Sequence, residues 1–138
     1  MLNTYPFVSV RQALAGARVV TALLFMAHAA VRIANGTIPQ FGKFLSSVGF
    51  PQGEILVWAI TIVELVAGAL LIVNRQVRVA SAALMAVAIG GILLIHMHIG
   101  WFVGEHGTGG SEYSVALIIL LLVVAAAARP AEPDVARL

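Results

Sequence analysis

A single carboxylate, Glu64, stands near the middle of an otherwise uncharged run from Trp58 to Val73. Insertion scales put a carboxylate at the bilayer centre at roughly +2.5 to +3.5 kcal/mol, so such a residue faces a protein interior, pairs with another polar group or carries a proton. Arg18 is one cation whose long side chain could climb to Glu64, directly or through water; its alternative is to snorkel to the interface. Removing one partner of a buried pair typically costs ~3 to 5 kcal/mol, which makes the identity of that partner worth knowing. His28 and His96 lie ~7 to 10 Å outward of the centres of their segments at ~1.5 Å of rise per residue, so they share a depth and could meet. Neutral imidazoles on two helices are the arrangement that ligates a haem iron or shares a metal with a carboxylate. Glu105, His106 and Glu112 are the supplementary ligands in reach. The plainer reading is that each histidine hydrogen-bonds a neighbour or interfacial water, and the spacing fits no compact metal motif.

Other residues refine this set. Arg32 follows His28 by one turn on the same face, and it can equally snorkel outward. His96 and His98 are two apart and point to nearly opposite faces of a regular helix, so at most one joins an interior site. Gly68, Gly90 and Gly91 are expected to allow close helix packing rather than to make room for a ligand. Met85 and Met97 read as packing residues.

The elements that must carry these groups can be read from composition. Apolar residues make up 61% of 138 residues, charged residues 10%, and the mean hydropathy is +1.02, which is the signature of an integral membrane protein. Four spans are expected, at about 12–34, 55–73, 79–99 and 113–128, in one domain covering 1–138. Backbone satisfaction in lipid makes them helical. The fold class is therefore all-α: an antiparallel membrane four-helix bundle. Between the first two spans, Phe41, Phe44, Leu45 and Val48 recur at helical spacing beside Gln40, Lys43 and Ser47, which predicts a short amphipathic helix in the interface. A re-entrant segment is the alternative. The glycine-rich stretch from Gly100 to Ser111 suits a loop over the bundle mouth.

Four antiparallel spans put both termini on one side with Arg11, Arg75, Arg78, Arg129 and Arg137, against Arg32 and Lys43 on the other. The positive-inside rule then makes the termini cytoplasmic. All four histidines, with Glu54, Glu105 and Glu112, fall on the outer half. The small-residue stretch Ala27-His28-Ala29 loosely imitates a signal cleavage site, but the apolar run continues past it to Val31 and Ile33, as a retained span would. Scattered basic residues argue against a nucleic-acid partner. With no cysteine, the chain has no disulfide and no thiolate-held cluster, so a redox role would need a bound cofactor.

In order along the chain stand Arg18, His28, Val48-Gly-Phe-Pro51, Glu64-Leu-Val-Ala-Gly68, Arg75 with Arg78, and a Gly-Gly-Ser-Glu-Tyr113 opening to the last span. This pattern, from about Arg18 to Leu122, resembles the DoxX family of small four-span membrane proteins. Two departures are His28-Ala29 with Arg32, where the family commonly has His-Gly followed by lysine, and Arg129-Pro-Ala-Glu-Pro133 in place of a glycine-rich Ser-Leu-Asp ending. The resemblance implies a bacterial or archaeal inner-membrane protein associated with oxidoreductases, since members include subunits of a quinone-reducing thiosulfate oxidoreductase and a partner in mycobacterial oxidative-stress complexes.

Three functions are compatible with these residues. In the first, an accessory or quinone-interacting subunit of a membrane redox complex, Arg18, His28 and Glu64 line a polar pocket with His96 and Glu112 at its outer mouth. In the second, His28, His96, Glu105 and His106 hold a haem or metal. In the third, the chain is a purely structural partner in a larger membrane complex or homo-oligomer, its buried charges fixing helix register.

Overall fold

The computed structural model describes residues 7–104 and 109–128, and every described regular element is helical. Helix α1 runs Val10–Ala34, α2 Ile38–Ser47, α3 Gly53–Ile72, α4 Val77–Ile99 and α5 Ser111–Ala127. Three of them, α1, α3 and α4, are long and apolar enough to cross a membrane, while α5 is equally apolar but has 17 residues. Each long helix begins about two residues before the expected span. Capping explains the start of α1, where Ser9 and Gln12 form a capping box with mutual hydrogen bonds of 3.2 and 2.8 Å.

Helix α3 stops in a Schellman turn. The Arg75 amide donates to Leu70 O and the Asn74 amide to Leu71 O, with Asn74 left-handed at φ 57. Gln76 is left-handed as well, and α4 starts directly after it. The turn reverses the chain. Around the ring α1–α3–α4–α5, each helix packs on the next and α5 returns to α1. Every neighbouring pair is antiparallel, as shown by Arg18 meeting Asn74, Arg32 meeting Glu64, Arg78 meeting Ala128 and His28 standing beside Tyr113.

The half of this assembly nearer the described ends of the chain is solid. Ala22 and Phe25 from α1, Ala67 and Leu71 from α3, Ala80 and Leu84 from α4, and Leu121 and Val124 from α5 form one buried cluster. The other half is roofed by α2, whose buried Ile38, Gly42 and Leu45 lie against α3 around Val57. Of the four apolar residues expected to define the inner face of α2, Leu45 is buried but Phe44 and Val48 are exposed. The packed face is set by Gly42 instead, because a Cβ there would stand 2.6 Å from the Glu54 Cα.

Helix α4 is not regular to its end. It is α-helical to Gly91, widens to a π-helix over Ile92–His96 and closes with Met97–Ile99. A regular helix through the last histidines is thus replaced by a π-bulge, which rotates the final turn of α4 relative to a continuous α-helix.

Candidate functional site

Under the α2 roof, residues of all five helices line a half-open cavity of about 700 Å³. Phe25, His28 and Arg32 come from α1, Phe41 and Leu45 from α2, Leu56, Ile60 and Glu64 from α3, Gly90, Gly91, Leu94 and His96 from α4, and Tyr113, Ser114 and Leu117 from α5. The walls are mainly aliphatic and aromatic, with a few polar groups converging on the interior. That composition and size are those of a small-molecule site.

Glu64 lines this cavity and is only 3% exposed. Its partner is Arg32, not Arg18. Arg32 Nη1 donates 2.8 Å to Glu64 Oε2 and 2.7 Å to Thr61 Oγ1, and the Thr61 hydroxyl donates 2.7 Å to Val57 O. The register of α1 on α3 decides the choice: Gly68 packs against Ala22 and Met26, so Glu64, one turn nearer the start of α3, faces the last turns of α1. Arg18 faces the far end of α3 and donates to Asn74 Oδ1. The Arg32 guanidinium also lies 5.7 Å from the centre of the Phe41 ring, a cation–π distance that helps a desolvated cation. Glu64 Oε1 takes no hydrogen bond among the described residues.

His28 and His96 both line the cavity, so the two imidazoles predicted to share a depth do share a chamber. The His28 ring stands 6.4 Å from the Tyr113 ring, tilted by 49°. The His96 ring lies over Gly91, where a Cβ would meet its Nε2 at 3.6 Å. Its Nδ1 is buried without a hydrogen-bond partner among the described residues. An unpartnered buried nitrogen is costly unless something else meets it. His98 is exposed and does not line the cavity. Contrary to expectation, Gly90 and Gly91 line open space rather than a close helix contact, whereas Gly68 does what was expected: a Cβ there would fall 2.5 Å from Met26 Cγ.

Glu112 is placed elsewhere. Its Oε1 accepts 2.8 Å from the Val103 amide, and with Glu112 N to Trp101 O and Ser111 N to Gly100 O it clasps the base of the loop before α5. Glu105 and His106 lie outside the described residues, and among those described no three His, Cys, Asp or Glu come together as a metal site would require.

Sequence reasoning passed over three groups that complete the chamber. Thr61 precedes Glu64 by one helical turn and so shares its face, Phe41 comes from the roof helix, and Tyr113 opens the last helix. The first was legible in its i, i+3 spacing; the other two required the fold.

A family model described as DoxX matches residues 13–97. No curated protein and no solved structure matches the chain.

Proposed function

This chain belongs to the DoxX family, and on that footing we propose that it is a membrane subunit whose outer-half cavity binds the ring of a quinone within a larger redox assembly. The observation that carries the reading is one apolar cavity of about 700 Å³ lined by an anchored carboxylate, Glu64, and by two imidazoles, His28 and His96. A quinone ring is apolar on its faces and polar only at two carbonyls, which matches apolar walls with a few separated polar groups.

When bound, a quinone supplies two-electron, two-proton carrier chemistry, and the electrons come from a flavin, haem or iron–sulfur subunit of the assembly. The residues of this chain hold and orient. His28, His96 and the Tyr113 hydroxyl are the donors that the lining offers a carbonyl. Glu64 lines the cavity with its Oε2 held by Arg32, which Thr61 holds in turn. Phe25, Phe41 and Leu94 give the ring an apolar surface to lie against.

The same reading makes all four long helices spans of one bundle. At ~1.5 Å per residue α5 covers ~25 Å, slightly less than the ~30 Å hydrocarbon core, and a helix of that length spans with local thinning. Helix α2 lies at the outer interface. With Arg32 committed to Glu64, Lys43 is left as the free cation among the described residues of that end, while Arg11, Arg75 and Arg78 crowd the other; the positive-inside rule then makes the latter the cytoplasmic face of an inner membrane.

The test is titration of the detergent-purified protein with a short-chain quinone analogue, followed by calorimetry. Wild type binds; Glu64→Gln and His96→Ala each weaken binding by up to about tenfold, the worth of one hydrogen bond; Arg18→Gln leaves it unchanged. Equal affinity for wild type and Glu64→Gln removes Glu64 from the site, and no binding to wild type overturns the reading. Gentle purification of the native assembly is expected to bring a redox subunit with this chain, and its isolation alone would favour a homo-oligomer.

A further inference from the structure

The end of the molecule away from the cavity carries a second concavity, a groove of about 1140 Å³ between the start of α1, the α3–α4 turn and the end of α5. Arg11, Leu14, Ala15 and Arg18 fall at the i, i+3, i+4 and i+7 positions of α1 and present one continuous face to it. Arg78 enters from α4, with Nη2 donating 3.0 Å to Ala128 O. Arg18 is held by Asn74 through Nη1, yet its Nε is buried without a hydrogen-bond partner among the described residues. No carboxylate among the described residues balances these three cations, since Glu54, Glu64 and Glu112 all belong to the opposite end. Helix α4 also begins here, and its N-cap residue Gln76 makes no side-chain capping bond, which leaves first-turn amides for an anion.

We propose that this groove binds the phosphate of an anionic phospholipid. Three arginines that line the groove and an uncapped helix start supply donors for phosphate oxygens. Val10, Leu14, Val124 and Ala127 supply an apolar wall beside them, which a phosphate ester with acyl chains uses and a free phosphate ion does not. From Arg11 to Arg18 the groove climbs ~10 Å along α1, from headgroup level toward the acyl region. The assignment is independent of any ligand in the outer cavity and rests only on this end lying at a membrane surface.

Native mass spectrometry of the full chain in detergent, with added phosphatidylglycerol or phosphatidylcholine, tests it. Phosphatidylglycerol is retained in clear preference to phosphatidylcholine. Arg11→Gln, at an exposed residue with no hydrogen bond to lose, lowers that preference about fivefold, the worth of one arginine near an anionic surface. Arg18→Gln with Arg78→Gln abolishes the preference at unchanged helical content, and Glu64→Gln leaves it intact. Retention of the anionic lipid against excess inorganic phosphate supports the lipid as the source. Full displacement by inorganic phosphate assigns the groove to soluble phosphate compounds and overturns the lipid; equal retention of both lipids, or an Arg11→Gln protein with the wild-type preference, overturns the site.

Discussion

Arg32 serves two acceptors with one nitrogen, and that determines what its loss does. Arg32→Gln strands Glu64 in the cavity wall and is expected to cost about 3 to 5 kcal/mol of stability, whereas Arg32→Gln with Glu64→Gln recovers a substantial part because no unpaired charge is left. Thermal unfolding of the two variants in detergent checks this; a double variant as unstable as the sum of the singles would show that the pair does not act as a unit. Glu64 itself was legible in the sequence, because the one charge in a sixteen-residue run from Trp58 to Val73 has no neutral explanation. Its partner was not. Counting depth along each helix separately puts Arg18 nearer to Glu64 than Arg32, and only the offset of α1 against α3, fixed by Ala22 and Met26 settling onto Gly68, brings Arg32 to it instead. Thr61 could have been found from its place one turn before Glu64. The bond of Glu112 to the Val103 amide was not legible, because a carboxylate near a glycine-rich loop can point at a ligand or at the loop's own amides, and sequence does not distinguish them.

At the scale of elements, the long apolar helices were readable to within about two residues, since long apolar runs bounded by Asn-Gly, Asn-Arg and Gly-rich turns admit few alternatives. The departures all lie where glycine sits. Gly90 and Gly91 signal either a tight crossing or a void, and the widening of α4 over Ile92–His96 turns them into the latter, bringing His96 over Gly91 and into the chamber. Gly91→Ala is therefore expected to be tolerated in both stability and ligand titration, because the added methyl makes ordinary contact with the ring. Gly42→Ala should not be. It would force α2 off the start of α3 at a cost of about 1 to 3 kcal/mol, measurable as a lowered melting temperature together with weakened quinone-analogue binding as Phe41 and Leu45 shift. A full retention of both properties would mean that the roof helix does not depend on that close approach.

The whole molecule is divided into a packed half and a hollow half, with basic residues gathered beyond the packed one. Because the chain contains no cysteine, its orientation can be read with single introduced thiols: Val8→Cys should react with an impermeant maleimide only in opened cells, and Gln40→Cys in intact ones. The reverse pattern would invert the assignment of sides. The Arg32–Glu64 bond has a consequence for how the chain is made. Helix α1 leaves the ribosome before α3, so the cation is already in place when the acid arrives, and α3 need never sit alone in lipid with a bare charge. A permuted gene that delivered α3 first would remove that order, and with it the counter-ion that waits for Glu64.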